Sequence, residues 1–222
     1  SSLPKQESWP VSSSAEPKNW RSSWARITGT AMILSAALAQ RPRLSEVTCG
    51  DAAWIGEGDT PLVAVVDGLG HGKLAAEASQ SFAAWIASHS DQPLDWLLEQ
   101  GGRAIAHTRG VAASLVRFDL AHRRLWFAGV GNVELRAACR NRIAPISHPG
   151  ILGRPLRRPP RVFESTIEPG DLMVLFSDGI SSRVDVSSLT TLEPQEAANK
   201  VLREHGKDHD DATVVVLRCR PA

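Results

Sequence analysis

Aspartates stand at four places in this chain where an apolar run starts or stops. Asp51 follows Cys49-Gly50. Asp67 ends the run Leu62-Val-Ala-Val-Val66 and is followed by Gly68-Leu69-Gly70-His71-Gly72. Asp178 sits in Phe176-Ser177-Asp178-Gly179, after Leu172-Met-Val-Leu. The pair Asp210-Asp211 precedes Ala212-Thr213 and Val214-Val-Val-Leu217. One Asp-Gly is ordinary turn chemistry. Four carboxylates at strand margins suggest more. If they converge, any two about 5 Å apart repel by about 3 kcal/mol at an effective dielectric near 20, and the set stays ionised only beside a cation. Hard divalent ions with oxygen ligands, Mg²⁺ or Mn²⁺, answer that need. Two such ions a few ångströms apart can activate a water and clamp a phosphoryl group.

Competing readings of the glycine turn fail on spacing. A phosphate-cradling Gly-x-x-x-x-Gly-Lys-[Ser/Thr] loop needs glycine where Asp67 stands, and Leu74 follows Lys73. A Gly-x-Gly-x-x-Gly fingerprint fails because Gly72 comes one residue early. No Gly-x-Ser-x-Gly elbow is present, and no cysteine has an arginine at the spacing of a cysteine-phosphatase loop.

The elements that must carry these residues follow from the apolar pattern. Leu62–Val66, Leu172–Ser177 and Val214–Leu217 read as strands buried on both faces. A strand-like stretch from Glu46 carries Asp51 and breaks at Gly56-Glu-Gly58. Helices are expected at 73–89, 94–107 and 194–205. A meander follows the second helix: 111–119, 125–130, 133–139, Ile143–Ile146, then 161–168. Strands at this short spacing point to antiparallel sheets and an α+β class. Residues 26–40 are ambiguous: alanines favour helix, while Ile27, Thr28, Thr30 and Ile33 favour strand. His148–Arg161, with four prolines and with Arg154, Arg157 and Arg158, is a loop. It is either a solvated basic segment or a patch for a phosphorylated or acidic partner, since arginine forks suit phosphate oxygens.

Residues 1–25 form a distinct linker or N-terminal arm, rich in serine and proline, with Trp9, Trp20 and Trp24 able to pin it or to meet a partner. Residues 26–222 form the main domain. The chain has 222 residues, 42% of them apolar, enough for a sizeable core. A net charge of +1 argues against a nucleic-acid binder. No apolar run approaches membrane-spanning length. Three scattered cysteines, Cys49, Cys139 and Cys219, fit a reducing cytoplasm better than a disulfide framework or a structural zinc site.

The ordered set Cys49-Gly-Asp51, Val66-Asp67-Gly-Leu-Gly-His-Gly, Ala75-Ala-Glu-Ala, Arg109-Gly-Val-Ala-Ala, Gly129-Val-Gly-Asn132, Phe176-Ser-Asp178-Gly and Asp210-Asp-Ala-Thr213 resembles the SpoIIE-type branch of the metal-dependent type 2C (PPM) protein phosphatases. Within that branch it is most similar to the small stressosome phosphatases. The resemblance spans about residues 27–218. It implies a four-layer α-β-β-α sandwich, two antiparallel sheets flanked by helices, and makes 27–40 strand. It implies two Mn²⁺ or Mg²⁺ ions, with Asp67 bridging both, Gly68 giving its carbonyl, Asp178 and Asp210 holding one ion, and Asp51 in the same cluster. Asp210 is preferred to Asp211 because the family's ligand is the first acid of its motif. The implied activity is hydrolysis of phosphoserine or phosphothreonine on partner proteins, STAS-domain proteins of a stress-signalling complex, by a metal-activated water. Helices over 73–107 resemble that branch's activity switch. The phosphate-gripping arginine of eukaryotic relatives has no counterpart in the motifs, so Arg154, Arg157 and Arg158 stand as substrate-binding candidates by charge. His71, His209, Glu77 and Asn132 read as turn, supporting or structural residues. The rival reading is a regulatory or binding module that keeps the fold and turns over little.

Overall fold

The computed structural model describes residues 21–222. Its strands are β1 (Arg21–Thr28), β2 (Met32–Arg41), β3 (Asp51–Ile55), β4 (Leu62–Gly68), β5 (Val111–Asp119), β6 (Arg124–Val130), β7 (Glu134–Ala138), β8 (Phe163–Thr166), β9 (Leu172–Phe176) and β10 (Ala212–Pro221). The helices are α1 (Lys73–Ser88), α2 (Leu94–Ala104) and α3 (Pro194–His205), with a short 3-10 turn at Val186–Leu189. One sheet has the order β1-β2-β10-β9-β7, the other β3-β4-β5-β6-β8, and the pairings are antiparallel. The helices flank the two sheets, giving the α+β sandwich expected.

The unbroken apolar runs have a simple cause. Successive strand residues face opposite sides, and here both sides are covered. In β4, Val63 and Val65 enter the core between the sheets, while Leu62, Ala64 and Val66 pack under α1 and α2 with Phe82, Leu97 and Leu98. In β9, Met173 and Leu175 face the inter-sheet core; Leu172, Val174 and Phe176 face α3 with Val201 and Leu202. In β10, Val215 and Leu217 divide from Val214 and Val216 in the same way.

Period two also says where the polar residues go. The inter-sheet face of β3 runs Ile55, Ala53, Asp51, and that of β4 runs Val63, Val65, Asp67. In the other sheet it runs Leu34, Ala36, Leu38, Gln40 in β2 and Leu217, Val215, Thr213 in β10. Met173 and Leu175 lead on to Ser177 beyond β9. At one end of the sandwich the greasy layer therefore becomes polar.

Several boundaries differ from the sequence reading. Residues 27–40 are not one strand: β1 and β2 form a hairpin around Gly29, whose N–H donates to the Met32 carbonyl at 2.9 Å. The alanines that suggested helix, Ala37 and Ala39, are strand residues whose small side chains pack beneath α3. Of the expected arm, residues 1–20, with Trp9 and Trp20, lie outside the described residues; 21–25, with Trp24, belong to β1. Ile143–Ile146 joins no ladder, because Pro145 has no N–H to give. Glu46–Gly50 is loop, with β3 starting at Asp51. Among the described residues no helix is long and apolar enough to cross a membrane.

Phe118, fully buried between the sheets, gives a direct measure of this core. Phe118→Ala is expected to cost about 3–5 kcal/mol, lowering the urea midpoint while leaving the m-value unchanged.

Candidate metal centre

The polar end of the sandwich is built by two adjacent strands of one sheet and the strand ends of the other. Asp51 and Asp67 lie directly opposite each other in the β3–β4 pair. Asp51 is buried, 4% exposed. Its Oδ2 accepts from Ser177 Oγ at 2.7 Å, and the same Oγ accepts from the Thr213 N–H at 3.0 Å. Gln40 Nε2 donates to the Asp51 carbonyl at 3.1 Å and to Thr213 Oγ1 at 2.9 Å. These bonds stitch sheet to sheet and fix Asp51. Asp178 follows β9. Asn132 Nδ2 donates to its Oδ2 at 2.6 Å, and Lys207 Nζ donates to its carbonyl. Asp210 and Asp211 lead into β10.

Three glycines let these turns meet. A Cβ on Gly68 would run into the Ala75 carbonyl of α1, and one on Gly179 into the Asp211 carbonyl. A Cβ on Gly50 would stand 2.6 Å from Asp211 Oδ2. The glycine beside each aspartate serves close approach of backbone to backbone.

The electrostatics show what this crowding costs. Asp67 is pushed up to about 9, first by burial and then by Asp51, Asp178 and Asp210. Asp51 is pushed up to about 7; burial dominates, the hydrogen bonds of Ser177 and Thr213 oppose it, and Asp211 and Asp178 add to it. Asp178 is raised by burial and by Asp210, with Lys207 pulling the other way. Asp211 is raised chiefly by burial. Its Oδ1 accepts from the Arg43 N–H at 3.0 Å, while its Oδ2 is buried without a partner. Of the pair, Asp210 is the one whose charge reaches Asp67 and Asp178, while Asp211 turns toward Arg43 and Gly50.

This donor set fits hard divalent cations. Among the described residues no three Asp, Glu, His or Cys side chains are placed to hold an ion unaided. A magnesium-like ion does not require that, since it takes one or two carboxylates and keeps several waters. Buried carboxylates crowded together and held short of ionisation are a donor set that a cation would satisfy.

Asp51 faces Asp67 in the β3–β4 ladder, Gly68 follows Asp67, and the charges of Asp178 and Asp210 lie near enough to raise Asp67. Arg154, Arg157 and Arg158 stand elsewhere. Arg154 donates to the carbonyls of Gly153 at 3.0 Å and Ala106 at 3.4 Å, beside the end of α2. Arg157 and Arg158 line a separate cleft with Leu98, Gly102 and Arg103. His71 pairs with Glu46, Nδ1 to Oε1 2.8 Å, and His209 is exposed.

Two residues gain a role that their sequence context did not reveal. Asn132, read as structural, orients the Asp178 carboxylate. Arg109 stands across from the Asp67 turn. The β4–β5 register pairs Gly68 with Val111, the Leu69 N–H continues to the Gly110 carbonyl at 3.0 Å, and the next step sets Arg109 opposite Gly70. Arg109 Nη1 lies 2.8 Å from where a Gly70 Cβ would be. Only strand register could have revealed this.

Comparison with known proteins gives a consistent picture. Residues 57–220 match the model of the family of stage II sporulation protein E (SpoIIE). The phosphoserine phosphatase RsbX of Bacillus subtilis (strain 168) is 28% identical over 173 residues, covering 76% of this chain and 86% of that one. A structure from work on the bacterial stressosome as a modular system adapted to control secondary messenger signalling superposes with a TM-score of 0.80 at 30% identity, over 83% of this chain and 99% of that one. RsbX in complex with magnesium superposes with a TM-score of 0.76 at 22% identity, over 89% and 100%.

The carboxylates also set a pH dependence. In the folded, metal-free protein Asp67 and Asp51 keep protons that the unfolded chain releases near pH 4. The native state then binds more protons, so stability falls as pH rises from about 4 toward 9. Thermal melts in a chelator should show the midpoint declining over that range. Mg²⁺ should raise it more at pH 8.5 than at pH 6, and Asp67→Asn should flatten the decline. A midpoint that does not fall with pH would contradict the arrangement.

Proposed function

The chain belongs to the SpoIIE family, and from that premise we propose that it is a divalent-metal-dependent phosphatase acting on phosphoserine or phosphothreonine of partner proteins. The observation that supports this reading is the geometry of the polar end of the sandwich, where Asp51 faces Asp67 across the β3–β4 ladder and is bonded to Ser177, the residue before Asp178 in the other sheet's strand end. In this reading Asp67 would serve both of two Mn²⁺ or Mg²⁺ ions, Gly68 would add its carbonyl, Asp178 and Asp210 would hold one of the ions, and Asp51 would support the cluster. When bound, the ions supply Lewis-acid polarisation of the phosphoryl oxygens and an attacking water of lowered pKa.

The chain's own residues position the cluster. Asn132 fixes which Asp178 oxygen faces the cluster. Ser177, Thr213 and Gln40 keep Asp51 from turning away. The Arg109 guanidinium has no hydrogen-bond or ion-pair partner among the described residues, and it offers a fork to the oxygens of a phosphate held above the Asp67 turn. A thiol nucleophile is disfavoured: burial pushes Cys139 up to about 12 and raises Cys49 and Cys219 as well, so none supplies thiolate at neutral pH.

The relatives support a substrate class. RsbX is a phosphoserine phosphatase, and a 30% identical structure comes from stressosome work. We assign as substrate a phosphorylated STAS-domain protein of such a signalling complex, met in the cytoplasm.

Phosphate release from a phosphoserine-bearing STAS-domain protein should require Mn²⁺ or Mg²⁺ and stop in a chelator. Removing a supporting contact at a metal site costs about 10–100-fold, so Asp67→Asn and Asp178→Asn, which remove donors themselves, should lose at least about 100-fold. Arg109→Ala should raise KM by about 10–100-fold, the worth of a charge-assisted hydrogen bond, with metal affinity unchanged. Full activity in Asp67→Asn would overturn the mechanism. Tight metal-independent binding without turnover would favour a regulatory module.

A further inference from the structure

We propose that Lys207 is a positioning residue for the ion that Asp178 and Asp210 would hold; this rests on the metal-centre reading above and names what sets those two carboxylates in place. The need for such a residue follows from where β9 stops. Its ladders with β7 and β10 end at Phe176. The Ser177 N–H still donates to the Thr213 carbonyl at 3.0 Å, but Asp178 and Gly179 lie beyond the pairing. A carboxylate on an unpaired turn keeps one direction only if other contacts lock it.

Lys207 makes those contacts. It lies two residues past α3, in the stretch that leads to β10. Its N–H donates to the Gly179 carbonyl at 2.7 Å, and its Nζ donates to the Asp178 carbonyl. One residue thus holds two consecutive carbonyls of the turn. Its own carbonyl accepts from the Asp210 N–H at 3.2 Å. The flanking residues keep the two segments side by side: the Ser181 N–H donates to the His205 carbonyl at 2.8 Å, and Ile180 bridges to Gly206. Three bonds on Lys207 therefore join the two acids assigned to one ion. The two backbone bonds would form with any residue there except proline. The third needs a side chain with a long reach and a donor at its end.

The oxygen that Lys207 chooses is informative. An ammonium seated on the carboxylate would occupy the donors that a cation needs. Lys207 Nζ bonds to the main-chain oxygen instead, and among the described residues it forms no ion pair. Its charge still reaches Asp178, where it opposes burial and Asp210. Asp178 is gripped twice, by the Asn132 amide at Oδ2 and by Lys207 at the main chain. Positioning and bare charge make opposite predictions. Removing a positive charge from beside a cation site should tighten the cation, whereas removing a tether should weaken it.

The test is a Mn²⁺ titration of the metal-stripped full chain by isothermal calorimetry, in wild type, Lys207→Met and Asp67→Asn. Lys207→Met should weaken one of two ions by about 10–100-fold, the range for losing a supporting contact at a metal site, and leave the other as in wild type. Asp67→Asn, which removes the shared ligand, should weaken both. Tighter or unchanged Mn²⁺ binding in Lys207→Met, or equal weakening of both ions, would overturn the proposal. Where the wild type takes up one ion, a loss of the same size with the melting midpoint in chelator unchanged supports it, and any other result overturns it. If Lys207→Met fails to fold, Lys207→Gln, shorter and neutral, is read in the same way. A wild type that binds no Mn²⁺ would overturn the metal-centre reading and this one with it. The selective loss in a protein that releases no phosphate from phosphoserine would remove the phosphatase reading and leave the role of Lys207 standing.

Discussion

The hydrogen bond from Ser177 Oγ to Asp51 Oδ2 is the contact on which the centre depends, because its two ends belong to different sheets. Sheets pressed together by apolar burial alone can slide, since hydrophobic contact has no direction. The inner faces of these sheets end in Gln40, Asp51, Ser177 and Thr213, and the directional bonds among them set the sliding coordinate. Once it is set, Asp67, opposite Asp51 in the ladder, has no freedom to leave Asp178 and Asp210. The core supplies the force and the polar end supplies the alignment.

That alignment works against the stability of the metal-free fold. Burial and mutual repulsion raise the pKa of Asp51, Asp67 and Asp178 together, an arrangement that no structural role would select. Glycine at positions 50, 68 and 179 makes it possible by removing the side chains that would hold the turns apart. Packing elsewhere in the three apolar clusters must offset the strain. Sites that concentrate charge to perform chemistry are expected to be locally unfavourable and globally supported.

What the sequence revealed, and what it hid, divides along the same physical line. β4, β9 and β10 were legible because both faces are covered, which writes burial as continuous apolar runs. The aspartates at their ends were legible because a charge cannot follow such a run without a reason. Contacts that exist only through register were not legible. Asn132 reaches Asp178 across 46 positions, and Arg109 meets Gly70 because two strands happen to be in step. The arginines of the 148–161 loop drew attention by charge, yet Arg154 spends its guanidinium on nearby carbonyls. Ile143–Ile146 has the composition of a strand and lacks one donor. β1 begins inside a serine-rich stretch because a strand at a sheet edge needs little hydrophobicity of its own.

The position of β10 bears on how the protein is made. β10 lies between β2 and β9, in the middle of its sheet, although it is the last of these strands in the chain. At about 5–20 residues per second, the roughly 170 residues from Arg41 to Ala212 take on the order of 10–30 s to synthesise. Through that interval β2 has no partner on the side β10 will occupy, and an open strand edge is prone to pairing with the wrong chain. Thr213 and the Asp210-Asp211 pair emerge with β10, so a growing chain cannot assemble the acidic centre, or divert cellular metal into it, before the sheet is complete. Synthesis order thereby acts as a safeguard: no growing chain that stops short of β10 carries the finished site.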